Sequence, residues 1–369
     1  KSETLWSFLD HCQSAMGSRL LKKWIERPLV DKKKILFRQD RLDYLMKNYL
    51  VREDLKDKLN QIYDMERLIT LYNTASPSGR EEPMIRLLKA ELERMGIPHY
   101  RDRKGNLYAV KGRAKTYPCV VAHMDEVHRR TGKGYAAHIV DGRFVIGYDR
   151  KRKKTAGIGA DDKNGIWICL KCLEDFKIMK CAFFVQEETG CIGSGEADMD
   201  FFADCRFVLQ CDRKGDSDLV TRISGMDLCS EEFLERVNPE KYGYRATCGM
   251  HTDVYALKRR GLEVSCVNIS CGYYKPHTDH EYTVLRDLAK CYRLVRHIVR
   301  SHKEVSRHRP SPGQRFMAGY YGLFGQMGYD GEFLTCHREN SLQQVRSGRF
   351  RTEEGGKKQA GFHIRSKGI

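Results

Sequence analysis

Apolar positions follow two different rhythms along the chain. Over residues 1–69 they recur at helical spacing, with Leu20, Leu21, Trp24 and Ile25 on one amphipathic face and Leu42, Leu45 and Met46 on the next. Pro28 separates the two, because proline ends a helix at the preceding residue. A third run holds Leu55, Leu59, Ile62, Met65 and Leu68 with no Gly or Pro inside it. Three helices without a second layer predict a small all-α segment and not a self-sufficient domain. From Leu71 the rhythm changes. Residues 73–79 (NTASPSG) form a loop by composition, and residues 81–95 read as a helix with Ile85, Leu88 and Leu92 on one face and Gly96 just past its end. Short β-branched and apolar runs then alternate with helical segments, which predicts an α/β fold with a mixed, mainly parallel sheet flanked by helices. The boundary is expected near residue 70, giving a helical segment over 1–69 and an α/β domain over 72–302. Beyond His302 the breaker cluster at 309–313 and the Gly-rich, basic composition predict a poorly ordered tail over 303–369.

Three apolar runs of the α/β segment stop at polar residues able to bind metal. YPCVVA at 117–122 runs into His123, CAFFVQ at 181–186 into Glu187 and Glu188, and RFVLQC at 206–211 into Asp212. In an open α/β sheet the functional crevice lies beyond the carboxyl ends of the strands, so the three runs deliver these groups to one place. GIGADDKNG at 157–165 adds Asp161 in a Gly-flanked turn at a helix start, and PHTDHE at 276–281, after the strand-like 264–270, adds His277. His, Asp, Glu, Asp and His form a nitrogen and oxygen set with one carboxylate free to bridge, which suits two Zn²⁺ or similar divalent ions. Two such ions can share a hydroxide and polarise a carbonyl.

Composition narrows the setting. In 369 residues, 41% hydrophobic and 31% charged, a core can be buried and wholesale disorder is excluded. No stretch approaches the roughly 18 to 20 uncharged apolar residues of a membrane span. The chain begins Lys1-Ser2-Glu3-Thr4, without an initiator Met or an apolar signal segment, which is compatible with a fragment and gives secretion no support. The 14 cysteines, with no regular disulfide framework, read as reduced thiols and place the protein in the cytoplasm. Cys169 and Cys172, lacking a second CxxC, read as buried helix thiols. The net charge of +17 suits an anionic partner such as nucleic acid, but the basic residues are scattered, and the run at 150–154 reads as a solvated loop.

HMDEV at 123–127, GADDKNG at 159–165, EETG at 187–190, Asp212 and PHTDHEYT at 276–283 resemble, in order and spacing, the motif series of the co-catalytic di-zinc exopeptidases, the group of peptidase T, glutamate carboxypeptidase and the tetrahedral aminopeptidases. The resemblance covers about 72–302. It implies that Asp161 bridges two metals, that His123 and Asp212 complete one site, and that Glu188 and His277 complete the other. It makes Glu187 the general base and Asp125 the partner that fixes the tautomer of His123. Asp162 is similar to the second acid of the family's Asp-Asp pair. His251, in GMHTD at 249–253, either donates to the substrate oxyanion or packs in a loop; with Thr252 and Asp253 it is the candidate substrate-binding stretch. His128 and His280 are expected to be solvated.

Many members of that group carry a lid of around a hundred residues between the fourth and fifth ligands. Here Asp212 and His277 are 65 positions apart and the other intervals are shorter still, so no inserted domain is expected. Without a lid to hold a substrate carboxylate, the resemblance favours an aminopeptidase acting on short peptides with two Zn²⁺, Co²⁺ or Mn²⁺. It leaves residue preference and oligomeric state open. A second resemblance covers the start: LDHCQSAMGSRLLKKWIERPLVDKKKI at 9–35 and VREDLKDKLNQIYDMERL at 51–68 resemble the opening of the helical core of the mismatch-repair ATPase MutS. No GxxxxGK[ST] loop or mismatch-reading Phe-x-Glu domain accompanies it, so ATP hydrolysis and mismatch binding are not implied. Two unrelated families joined near residue 70 read as a fusion, a truncated reading frame or an assembly artefact. The competing reading is therefore an inactive fragment whose MutS-like helices and basic charge associate with DNA.

Overall fold

The structure is a computed structural model that describes residues 4–12, 15–49, 51–52, 55, 65–129 and 134–314. The chain begins with three helices. In α1 (Leu5–Leu9), Thr4 and Ser7 form a reciprocal capping box. α2 (Ala15–Glu26) stops two residues before Pro28, and Asp31 caps α3 (Lys32–Lys47) by accepting from the backbone of Lys33 and Lys34. The guanidinium of Arg38 lies 3.7 Å from the Trp24 ring centroid, joining α2 to α3. Trp24 is nonetheless 41% exposed and Leu42 60%, so the α/β domain does not cover this apolar face. The third predicted run lies mostly outside the described residues.

Its last turn is α4 (Met65–Asn73), and here the expected boundary is corrected. α4 buries Arg67, Leu68, Leu71 and Tyr72. Arg67 pairs with Glu91 of α5 (Glu82–Arg94) at 3.2 Å and with Glu174 of α6 (Ala160–Asp175) at 2.5 Å. The Tyr72 hydroxyl donates to Thr283 Oγ1 at 2.8 Å. α4 thus belongs to the α/β domain, and residue 70 falls inside it.

The main sheet runs β1 (His99–Arg101), β2 (Leu107–Lys111), β7 (Met179–Phe184), β3 (Tyr117–His123), β8 (Cys205–Arg213), β12 (Cys266–Ser270), β9 (Asp218–Ile223), β10 (Met226–Asp227), with β11 (Arg245–Gly249) also on β9. Its centre, β7-β3-β8-β12, is parallel, and its flanks are mostly antiparallel. Every residue of β3 and β7 is buried, as expected of parallel strands covered on both faces. One face carries α4, α5, α6 and α10 (Leu285–Ser301), whose Leu88, Trp167 and Val295 enter the core; Cys169 and Cys172 are buried thiols there. The other face packs Phe201, Phe202 and Leu257 against Val121 and Val208.

Two features depart from the sequence reading. The interval between His123 and Asp161, although short, builds the antiparallel strands β4 (Tyr135–Val140), β5 (Phe144–Asp149) and β6 (Lys154–Ala156). With β13 (Tyr273–Tyr274) and β14 (Tyr282–Val284) they make a second sheet of five strands. The start of the expected tail is also ordered. Ser306 donates to Arg206 O at 2.9 Å and accepts from Ser265 at 2.7 Å, and His308 donates to Glu263 O at 2.8 Å, so residues 305–308 lie along the domain. Residues 315–369 of that tail lie outside the described residues.

Candidate metal centre

The central strands are parallel, so their carboxyl ends share one edge. β3 ends at His123, Glu187 and Glu188 follow β7 after two further residues, and Asp212 is the penultimate residue of β8. Asp161 comes from the turn that opens α6. Gly159 caps that helix at φ +63°, and a Cβ there would lie 2.1 Å from Glu126 Oε2, so the position requires glycine. Asp161 and Asp162, joined by a cis peptide bond, have non-helical backbone angles that turn Asp161 toward the edge.

Two trios of donors result. His123 Nε2 lies 3.1 Å from Asp161 Oδ1 and 3.7 Å from Asp212 Oδ1. His277 Nε2 lies 3.3 Å from Asp161 Oδ2 and 3.1 Å from Glu188 Oε2. Within each trio the donor atoms lie within 4.8 Å of one another, and Asp161 belongs to both, turning one oxygen to each imidazole.

Asp125 is buried beneath them. Its carboxylate accepts from the backbone N–H of Glu187 at 2.9 Å and of Glu188 at 3.1 Å, and from Ser78 Oγ at 2.7 Å. The Nδ1 of His123 is 3.1 Å from the Asp125 carbonyl oxygen and 3.4 Å from its carboxylate, so residue 125 engages the far side of the imidazole mainly through its backbone. Glu187 Oε2 is 3.9 Å from His123 Nε2, while Cys191 Sγ donates to its other oxygen at 3.3 Å. Asp162 accepts from the N–H of His123 and of Gly165, which ties the α6 turn to β3.

Carboxyl groups outnumber imidazoles here, and the charges show it. Burial, then neighbouring acids, holds Asp212 and Glu187 well above the usual carboxylate range, and burial also raises Glu188. His277 is pushed up to about 11 by hydrogen bonds to Asp161 and Glu188. Burial pulls the His123 imidazole down, but Asp125, Asp161 and Asp212 more than reverse this and raise it. The same imidazoles hold Asp161 low against the effect of its own burial. Such a cluster collects positive charge, as protons or as a divalent cation.

Other expectations need correction. Thr252 and Asp253, read as substrate-binding, are 2 and 0% exposed. Thr252 donates to Gln210 Oε1 at 2.7 Å and to Asp212 Oδ2 at 3.2 Å, and Asp253 accepts from Gln210 Nε2 at 3.1 Å, so the pair braces Asp212 from behind. His251 is exposed and stacks on Tyr255 at 4.9 Å. His280 is exposed, but His128 is largely covered and bonds Glu281 Oε2 at 2.9 Å. Glu281 escaped notice in the sequence. Buried at 2% exposure, it accepts from the backbone N–H groups of Ile158, Gly159 and Asp161 at 3.0, 2.7 and 3.2 Å and so holds the Asp161 turn. Its place four residues after His277 in PHTDHE was the available signal. The buried pair Lys163–Glu126, 3.1 Å apart, was missed too; Glu126 also accepts from Ser76 N–H, which fixes the loop before α5 beside the site.

Comparison with known proteins separates the ends of the chain. Residues 1–129 match the family model of MutS domain III. The match runs beyond the first helices through α5 and β1–β3, which the structure places in the α/β domain. The chain is 34% identical over 119 residues to the DNA mismatch repair protein MutS of Bacillus mycoides, covering 32% of this chain and 13% of that protein. It is 38% identical over 104 residues to MutS of Shouchella clausii, covering 26% and 12%. The chain thus spans about an eighth of the length of these relatives. Among solved structures it is similar to the aminopeptidase PepT of Bacillus cereus, with a TM-score of 0.51 and 15% identity over 65% of this chain and 98% of that one. A tripeptidase of Staphylococcus aureus gives 0.52 and 15% over 64% and 96%. A TET aminopeptidase of a marine-sediment thaumarchaeon gives 0.51 and 15% over 69% and 99%. The chain therefore joins a MutS domain III resemblance at its start to a body with the α/β fold of these peptidases.

Proposed function

We propose that the α/β domain is a metal-dependent exopeptidase that cleaves short peptides from the amino end. The observation that carries this reading is the sharing of Asp161 between two trios, with His123 on one oxygen and His277 on the other. The donor set of nitrogen and carboxylate oxygens, short of positive charge, fits two Zn²⁺, with Co²⁺ or Mn²⁺ as substitutes. His123, Asp161 and Asp212 would hold one ion, and Asp161, Glu188 and His277 the other. Bound there, the ions would acidify a water and polarise the scissile carbonyl. Glu187 takes the proton of the attacking water and returns it to the departing amine as the C–N bond breaks. Asp125 fixes both glutamates through their N–H groups, and Thr252 holds Asp212. The peptidase fold supports the substrate class and end preference, since the similar structures are an aminopeptidase, a tripeptidase and a TET aminopeptidase. The described cysteines are free thiols, which supports a cytoplasmic setting; no described helix is long and apolar enough to cross a membrane.

The test measures bound metal and turnover together. Zinc should approach two per chain, chelation should abolish peptide hydrolysis, and Glu187→Gln should keep the metal while turnover falls about 10²- to 10⁴-fold. Loss of metal in that variant would show that Glu187 is a ligand and not the base. The MutS domain III match supports a second reading, in which the helical segment associates with DNA through its basic residues. DNA binding that weakens steeply with salt, without chelator-sensitive hydrolysis, would favour it.

A further inference from the structure

The exopeptidase reading leaves the choice of substrate open, and a cavity beside the trios bears on it. Between the loop after β7 and α9 (Asp253–Arg259) lies an open cavity of about 350 Å³ lined by Gly190, Cys191, His251, Tyr255, Arg259 and Arg260 among others. It adjoins the chemistry at two points. Cys191 donates to Glu187 at 3.3 Å, and Thr252, the residue after His251, donates to Asp212 at 3.2 Å. A peptide whose scissile carbonyl reached the trios would therefore place a neighbouring group in this cavity.

The charge of the lining is opposite to that of the site. Among the described residues no acidic one lines the cavity, while two guanidinium groups and an imidazole do. Arg260 is tethered, its Nη1 donating to Ala197 O at 2.6 Å. Arg259 has no ion-pair partner among the described residues. Tyr255 stacks on His251 with ring planes 17° apart and fixes that wall. Arginine forks match a carboxylate geometrically, and a pocket of this size admits one side chain or chain terminus. We infer that this cavity binds a carboxylate of the peptide substrate through Arg259, with Arg260 and His251 beside it, and so selects acidic short peptides. The inference rests on the exopeptidase reading. If Arg259 served only the carbonyl end of α9, it would confer no substrate preference.

The zinc-loaded full chain is assayed on Glu-Gly-Gly, Gln-Gly-Gly and Lys-Gly-Gly, each as free acid and as C-terminal amide. The Glu:Gln ratio of kcat/KM should be at least about 10, and Arg259→Gln should lower it about 10- to 100-fold, the range for one charge-assisted hydrogen bond. Arg259→Lys should retain part of the ratio, and Arg259→Glu should shift preference toward Lys-Gly-Gly. If Arg259→Gln instead collapses the acid:amide ratio, the bound carboxylate is the chain terminus. Hydrolysis with both ratios unmoved by Arg259→Gln overturns the inference and leaves the exopeptidase reading intact. Failure to hydrolyse any of these peptides with metal bound overturns both.

Discussion

If α4 is part of the α/β domain, a fragment beginning at residue 72 should not hold together, although every donor of the two trios lies within 72–302. The deleted turns contain Leu68 and Leu71, each 1% exposed, and Arg67, whose side chain is 3% exposed and paired with Glu91 and Glu174. Removing a buried leucine side chain costs about 2 to 5 kcal/mol. Losing Arg67 costs about 1 to 3 kcal/mol more, because both partner carboxylates keep some contact with water. Together these come to about 5 to 13 kcal/mol, against a typical domain stability of about 5 to 15 kcal/mol. Urea unfolding followed by far-ultraviolet circular dichroism, applied to residues 65–314 and 72–314, tests this. The longer fragment should unfold cooperatively and the shorter should be unfolded or nearly so without urea. In the full chain, Leu71→Ala should cost about 2 to 5 kcal/mol. Equal urea midpoints for the two fragments would refute the assignment of α4 and restore the boundary at 70.

Thr252→Val keeps the shape but removes the hydroxyl that braces Asp212, so zinc affinity in chelator competition should fall about 10- to 100-fold, and unchanged affinity would contradict the bracing role. Gly159→Ala should lower the melting temperature, because its φ of +63° and the 2.1 Å approach to Glu126 both exclude a methyl group; an unshifted melt would count against that packing. Burial lowers the His308 imidazole to about 4, so between that value and its unfolded value of about 6.5 the unfolded chain binds the extra proton. Stability should therefore rise with pH across this window and be lost as pH falls, and His308→Gln should flatten the trend in melting temperature between pH 7 and 4.5.

The trio donors were legible because buried parallel strands read as nearly unbroken apolar runs, which makes the polar residue at each end conspicuous. His123 and Asp212 stand out in this way, and Asp161 and His277 stand out through their glycine turn and motif. What covers an apolar helix face is not written in its spacing. Leu45 and Leu68 sit in equally good helical patterns, yet Leu68 is buried in the α/β core and Leu42, on the face of Leu45, is left in water. In the second sheet, β13 and β14 were hidden because they have two and three residues, too few for a period to show. Thr252 and Asp253 looked accessible because polar residues usually are, and only the fold reveals that they bond Gln210 and Asp212 in the interior. Glu281 bonds backbone N–H groups some 120 positions away, and backbone groups leave no mark in a sequence.

That grip of Glu281 on the turn at 158–161 joins Asp161 and the loop of His277 into one mechanical part. The loop that supplies His277 is the loop whose glutamate holds Asp161 in place. A chain emerging from synthesis has His123, Asp161, Glu188 and Asp212 in hand long before residue 281 arrives, and until then the turn that carries Asp161 lacks the three backbone bonds that Glu281 makes to it. On the metal-dependent reading, capture of the ions therefore comes late. On the proposed exopeptidase reading, incomplete chains should lack the activity altogether instead of retaining a fraction of it.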